Sequence, residues 1–286
     1  MIIEQTDREH MSLRMCGQVL SEMHHSYLTK LIGLPNPELF QLNTALSILR
    51  TAGCSGEETE LLATALMLIY HGLSVHEQIE ETHADATQQL KVLAGDYYSS
   101  KYFYLLASWG QVDKIGLFAE AIARINEAKA ERFALFQKER SNTDKYLFLC
   151  ERIEGELLYV LCSQYLQGKP VVADLVRMLV RTYVMGNEYN QFLSGEYNRN
   201  FSHVYLTNRA TEDELANAFL QETKVMTLHV KYGTSGFMFN QLEAGLMTVR
   251  QLLSIQESPV AVESFSDVIE FLNDMYLQPR KNVEEG

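Results

Sequence analysis

Residues 65–81 read ALMLIYHGLSVHEQIEE, an apolar stretch that ends in an acidic one. Apolar residues recur at steps of three and four through this region, at Leu61, Ala65, Leu68 and Ile69. Residues three and four apart share one face of a helix, so the spacing predicts an amphipathic α-helix. The same spacing returns downstream at Ile115, Phe118, Ile122 and Ile125, and alternating strand patterns are absent. The sequence therefore predicts an all-α protein.

Prolines and glycines mark the ends of the predicted helices. Pro35 and Pro37 open one helix, Gly53 closes it, and Gly110 separates two more. We expect helices near 8–31, 37–52, 56–81, 89–108, 112–139, 143–167, 170–192, 211–232, 236–256 and 262–277. With five prolines and no Ser/Gly-rich stretch, the chain is predicted to form one helical-bundle domain over 1–286. The polar, Asn-rich stretch 193–210 is the weakest seam, either a long loop or a subdomain join.

The composition argues against several classes of function. The 286 residues carry a formal net charge of -13, which repels nucleic acid on average. The four cysteines have no C-x-x-C spacing, so we interpret them as reduced core residues. No run approaches the roughly 18 apolar residues of a membrane span, and the N-terminus has no basic region leading into an apolar one. We expect a cytoplasmic protein that binds no nucleic acid.

The usual diphosphate-binding motifs are missing. The chain contains no G-x-x-x-x-G-K-[ST] and no G-x-G-x-x-G, and no two of its nine aspartates are adjacent. Potential ligands concentrate in one place, at His71, His76, Glu77, Glu80, Glu81, His83 and Asp85. On a helix His76 would lie beside Glu80, and Glu77 beside Glu81, which suits a weak divalent metal site. A solvated acidic helix end is the alternative interpretation.

The stretch 65–81 resembles the helix of trans-prenyltransferases that ends in His-Asp-Asp-x-x-Asp. About a dozen residues later, Leu93-Ala94-Gly95-Asp96-Tyr97-Tyr98 is similar to the Leu-Ala-Gly-Asp-Tyr opening of that family's next helix. The resemblance implies the all-α isoprenoid synthase fold. It also implies that the family's three metal-binding aspartates fall on Glu77, Gln78 and Glu81. An amide supplies no charge and a glutamate displaces its carboxylate by a methylene, which octahedral Mg²⁺ tolerates poorly.

Other family contacts to diphosphate are also replaced. Where the family has Gly-Gly-Lys-Arg-x-Arg-Pro, this chain has Gly33-Leu34-Pro35-Asn36-Pro37, without a cation. A later Lys-Thr pair aligns with Ile153-Glu154, and the second aspartate-rich motif is missing from 170–205. The resemblance to the family therefore implies a chain with no catalytic residue, no metal and no cofactor of its own.

The segment 89–140 is similar to component 1 of bacterial heptaprenyl diphosphate synthases, the small subunits of heterodimeric enzymes. This resemblance implies a chain that is inactive alone and pairs with a catalytic component 2. Component 2 would carry both aspartate motifs and Mg²⁺, and would condense isopentenyl diphosphate onto farnesyl diphosphate. The product would be the all-trans heptaprenyl chain of menaquinone, with membrane contact at most peripheral, where the polyprenyl tail leaves.

In this family the helix at 89–108 and the next one build the dimer interface beside the tunnel for the growing tail. The resemblance thus implies that candidate interface or tunnel residues include Leu73, Tyr97, Tyr98, Tyr102, Phe103 and Leu106. Aromatics at helical spacing are also typical of an ordinary core, and both interpretations stay open.

Two other functions stay open at the sequence level. The chain could be a prenyl synthase in its own right, using Glu77, Glu80, Glu81 and Asp85 as an unusual metal site. It could instead be a helical scaffold outside any synthase, binding an isoprenoid tail or another protein. Magnesium-dependent product from the chain alone would favour the first, and failure to co-purify with an aspartate-rich prenyltransferase would favour the second. His203 and His229 are interpreted as structural.

Overall fold

A computed structural model describes residues 2–77, 86–137, 142–218 and 222–277. This part of the chain forms thirteen α-helices and no strand, which confirms the all-α prediction. The helices are α1 Ile2–Met23, α2 Ser26–Ile32, α3 Leu39–Ala52, α4 Gly56–Glu77, α5 Ala86–Ser108, α6 Val112–Leu135, α7 Thr143–Tyr165, α8 Pro170–Leu193, α9 Phe201–Thr207, α10 Glu212–Ala218, α11 Glu222–Lys231, α12 Thr234–Ser254 and α13 Pro259–Leu277.

Three predicted segments differ from the observed helices. The predicted helix 8–31 is broken into α1 and α2, because His25 adopts an extended conformation and its Nδ1 caps α2 by accepting from the Leu28 amide at 3.4 Å. The segment 193–210, predicted as a long loop or a subdomain join, contains α9, which begins where Asn200 Oδ1 accepts from the His203 amide at 3.1 Å. The predicted helix 211–232 comprises α10 and α11, and residues 219–221 between them lie outside the described part.

The chain divides into two compact units, 1–122 with 160–167 (unit 1) and 123–159 with 168–286 (unit 2). The segment 193–210 lies inside unit 2. The expectation of one domain with a seam there stays a prediction.

The pair of α4 and α5 forms the centre of unit 1, with α1 and α3 packed on α4 and α2 packed on α5. Between residues 61 and 69, α4 is buried on every side, as expected of a helix that is apolar all round. A Cβ added at Gly72 would lie 2.9 Å from Ser99 Oγ and 3.2 Å from the Gly95 carbonyl oxygen. Gly72 therefore lets α4 and α5 approach closely. The two helices pack along their lengths and are joined by only eight residues, so they run antiparallel.

Unit 2 is organised around α8, which packs on α9, α12 and α13. A buried carboxylate, Glu188, joins three helices of this unit. It accepts a hydrogen bond from Tyr146 Oη at 2.6 Å and one from the Phe201 amide at 2.7 Å. Burial raises the pKa of Glu188. The two donors tie α7 and the start of α9 to α8.

Candidate functional site

The degenerate metal motif falls at the end of α4. Glu77 is the last residue of that helix, whereas Gln78 and Glu81 lie outside the described residues, as do Glu80, His83 and Asp85. Among the residues that the structure describes, no group of three or more His, Cys, Asp or Glu side chains could hold a metal ion. The interpretation of 77–81 as a lost magnesium site therefore stays a prediction.

His71, the first histidine of the predicted ligand cluster, belongs to the core of unit 1. Its side chain is buried, its Nε2 has no hydrogen-bond partner among the described residues, and its ring packs edge-on against Tyr70 at 5.6 Å. Burial lowers the pKa of His71 to about 4. At neutral pH it is thus an uncharged core residue.

The segment 33–37, predicted to stand in place of the family's basic motif, connects α2 to α3. Gly33 ends α2 with a φ of 76°, in a conformation that favours glycine, and Glu38 precedes the first residue of α3. Residues 33–37 bring no cation to this loop. Ile153 is buried in α7, and the alignment of the Lys-Thr pair with Ile153-Glu154 stays a prediction.

The inner side of α5 contains three of the six candidate interface residues. Tyr98, Tyr102 and Leu106 are buried, at the four-residue spacing that also buries Ala94. Burial raises the pKa of both tyrosines. In unit 1 these three side chains pack in the core and do not reach the protein surface.

The opposite side of α5 exposes four bulky apolar residues in two pairs, with the exposed polar residues Asp96 and Ser100 between the pairs. Val92, Leu93, Phe103 and Tyr104 are exposed, and we call these four residues the α5 outer face. Phe103 retains 54% of its accessible surface and Tyr104 retains 69%. Eleven residues are close to three helical turns, so Val92 aligns with Phe103 and Leu93 with Tyr104 along the helix. Soluble helices rarely present bulky apolar residues to water in this way unless a partner covers them.

Two candidate residues occupy intermediate positions. Leu73 and Tyr97 are half-buried, and the Tyr97 ring contacts His25 at the start of α2, with centroids 5.4 Å apart. Of the six candidates, Phe103 is thus the one on the open surface. Val92, Leu93 and Tyr104 are not among the six candidate residues. The sequence carries a signal for them, because α5 has apolar residues in two helical registers.

A polar cluster lies at the start of α4, the end of unit 1 opposite Glu77. Tyr165 Oη donates to Glu58 Oε1 at 3.3 Å, and Lys114 Nζ lies 5.5 Å from the centroid of the Tyr165 ring. Lys114 also donates to Asp113 at 2.8 Å. Burial and the Glu58 carboxylate raise the pKa of Cys54 to about 11, so this cysteine is a neutral thiol. These contacts place the beginning of α6 beside the beginning of α4.

The helical arrangement defines the class of protein as one with the isoprenoid synthase fold. A decaprenyl diphosphate synthase from Rhodobacter capsulatus matches 94% of this chain and 98% of its own, with a TM-score of 0.74 and 14% identity. A geranylgeranyl pyrophosphate synthase from Lactobacillus brevis matches 94% and 97%, with a TM-score of 0.75 and 16% identity. At such identities the likeness concerns the fold alone.

The sequence comparison is more specific. The family model described as heptaprenyl diphosphate synthase (HEPPP synthase) subunit 1 matches residues 25–231, and the chain belongs to this family. It is 34% identical over 114 residues to heptaprenyl diphosphate synthase component 1 of Geobacillus stearothermophilus. That match covers 40% of this chain and spans half the length of the relative.

The helices also bear on the question of membrane spans. No α-helix in the described part of the chain is both long enough and apolar enough to cross a bilayer.

Proposed function

We propose that this chain is a non-catalytic subunit of a heptaprenyl diphosphate synthase in the cytoplasm. It pairs with an aspartate-rich component 2, which elongates farnesyl diphosphate with isopentenyl diphosphate to all-trans heptaprenyl diphosphate for the menaquinone side chain. The chain alone has no turnover. Its contribution is a surface that holds component 2 and influences the length of the product.

The α5 outer face carries this proposal. In a chain that keeps the fold of a prenyl synthase, a helix with apolar residues on both sides has one side in the core and one available for a partner. Phe103 and Tyr104 would each lose roughly 100 Å² of apolar surface on pairing, a gross gain of about 2.5 kcal/mol per residue before the costs of association are subtracted. Such aromatic residues are typical anchors of protein interfaces.

The replaced carboxylates support the division of labour. The chain has no adjacent aspartates. By resemblance to the trans-prenyltransferases, Gln78 places an amide where that family has a metal-binding aspartate. Mg²⁺ would therefore be held by component 2, where it neutralises the diphosphate that leaves the allylic substrate. This chain then needs no metal to perform its part.

The test is a mixing assay with labelled isopentenyl diphosphate and farnesyl diphosphate. The chain, component 2 and their mixture are incubated separately with Mg²⁺, and the products are separated by chain length. We expect heptaprenyl diphosphate from the mixture and none from this chain. Turnover by the chain alone would contradict the proposal, as would full activity and unchanged product length of component 2 without it.

A matched pair of variants tests the docking surface. Phe103→Ala should weaken pairing by about tenfold or more, the equivalent of at least 1.4 kcal/mol. Phe148→Ala is the control, because Phe148 lies on α7 and is 48% exposed, close to the value for Phe103. Titration of each variant with component 2 measures the difference. Equal affinities for the two variants would argue against the α5 outer face. Tyr98→Ala is unsuitable, since it would open a cavity in the core.

A further inference from the structure

The turn that joins α5 to α6 lies in a stretch of the sequence that carries no charged residue. Residues 102–112 read YFYLLASWGQV, with Lys101 before them and Asp113 after them. The stretch therefore carries no charge over eleven residues, although Tyr102 and Leu106 within it are buried. The stretch includes Trp109, which is the only tryptophan of the protein.

Two bulky side chains project from this turn. Trp109 retains 54% of its accessible surface and Val112 retains 64%. We call residues 109–112 the turn tip. Tyr104 precedes it on α5 and is also exposed.

The backbone holds the turn tip in a defined conformation. Gly110 has a φ of 70°, and its amide donates to the Ala107 carbonyl at 3.1 Å, while the Gln111 amide donates to the Leu106 carbonyl at 2.9 Å. These bonds satisfy the last carbonyl groups of α5 in the manner of a Schellman motif. Trp109 is thus presented to solvent by a hydrogen-bonded turn.

The position of the turn tip matters for an enzyme that makes a long apolar product. Since α4 and α5 are antiparallel, the turn lies at the end of the pair opposite Glu77, roughly 34 Å away along the 23 residues of α5. An isoprene unit has four chain bonds and spans roughly 4.5 Å, by comparison with 3.3–3.6 Å for the three bonds of an extended residue. Seven units therefore reach roughly 30 Å, so a tail that grows in component 2 and lies alongside α5 would extend over the length of this helix.

The flanking charges favour a neutral surface as the partner. Lys114 is held by Asp113 and by the Tyr165 ring, and Lys101 pairs with Glu22 at 2.8 Å. With a net charge of -13, the chain would be repelled by anionic lipid. Tryptophan, however, prefers the boundary between lipid headgroups and acyl chains, where its ring is buried and its N–H finds a partner.

We propose that the turn tip inserts into the headgroup region of a zwitterionic lipid bilayer, through Trp109 and Val112. This inference builds on the proposed function, because a polyprenyl product must pass from protein to membrane. The contact is shallow and reversible, since one indole and one valine side chain supply little buried area. It should be insensitive to salt, because Trp109 and Val112 are both uncharged.

The test uses the full chain without any partner. Sonicated phosphatidylcholine vesicles are added, and the emission of Trp109 is followed together with its quenching by brominated acyl chains. We expect a blue shift and quenching that are the same at low and high salt. An emission spectrum that does not change on addition of vesicles would overturn the proposal.

Variants then locate the contact by co-sedimentation with vesicles. Trp109→Gln should lower the partition coefficient by about tenfold, and Val112→Gln by a smaller factor. Met247→Gln is the control, because Met247 is 69% exposed on α12 in unit 2. Equal loss for all three variants, or no loss for Trp109→Gln, would overturn the assignment to the turn tip.

A protein partner on the turn tip is the competing outcome. Component 2 would then shield Trp109 from acrylamide, and vesicles would have no effect on the chain alone, which overturns the proposal. Vesicle binding is measured without turnover or pairing. Its failure is therefore distinguishable from failure of the mixing assay.

Discussion

The close approach of α4 and α5 at Gly72 leads to a prediction with a definite sign. In Gly72→Val, the new Cβ would lie 2.9 Å from Ser99 Oγ and 3.2 Å from the Gly95 carbonyl oxygen. The serine side chain can rotate away, but the carbonyl belongs to the backbone of α5 and can move only with that helix. The substitution therefore separates the two central helices of unit 1.

The magnitude follows from two opposing effects. Overpacking a close helix contact destabilises a protein by about 1–3 kcal/mol. Replacing a helical glycine by valine recovers about 0.4 kcal/mol of helix propensity. The net loss should be about 2 kcal/mol in the free energy of unfolding. The measurement is urea denaturation followed by the fluorescence of Trp109, which lies in the same unit.

Gly116→Ala is the matched control. Gly116 also lies inside a helix, but a Cβ there meets nothing within 4 Å. This substitution should stabilise the chain by about 0.5–1 kcal/mol through propensity alone. If Gly72→Val proved as stable as the wild type, or if both variants shifted in the same direction, the argument from helix packing would be refuted.

Two further predictions concern buried titratable groups. His71 has a folded-state pKa of about 4 against 6.5 when unfolded, so the unfolded chain binds the proton first as the pH falls. Stability should therefore decrease between pH 6.5 and 4, by on the order of 3 kcal/mol from this group, and urea titrations of His71→Leu should lack that part of the decrease. Glu188 has the opposite pH dependence. Burial raises its pKa, so the folded state holds the proton more tightly than the unfolded state. The contribution of this group to stability therefore decreases as the pH rises above its ordinary pKa of 4.5. Glu188→Gln should remove that slope, and should weaken the structure by about 1–3 kcal/mol because an amide cannot accept from both Tyr146 Oη and the Phe201 amide. A Glu188→Gln chain with the wild-type pH slope would contradict this account.

Several features of the fold followed from local patterns. The steps of three and four at Leu61, Ala65, Leu68 and Ile69 predicted α4, and all four residues are buried. The interpretation of Gly53 and Gly110 as residues that end helices is confirmed, since both have the positive φ that is typical of glycine at a helix end. The break between α1 and α2 was missed, since His25 is an uncommon cap, although its Nδ1 accepts the Leu28 amide as Ser or Asp would.

The segment 193–210 shows why a stretch rich in polar residues can still contain a helix. Within it Phe201, Val204 and Tyr205 have helical spacing over a single short helix, and α9 begins where Asn200 caps it and Glu188 accepts the Phe201 amide. Glu188 lies on α8, thirteen residues before Phe201 in the chain. A contact between two elements of this kind has no signature in local periodicity.

The sequence by itself determined that the protein is all-α and that no two of its aspartates are adjacent. Both facts depend on residue type and short-range spacing. The tertiary structure alone decided which apolar side of α5 faces the core. Tyr98 and Phe103 are equally suited to burial, so periodicity cannot rank them. In the folded chain, the side of α5 that carries Gly95 and Ser99 lies against Gly72 of α4, and in this orientation Tyr98 is buried and Phe103 is exposed to solvent.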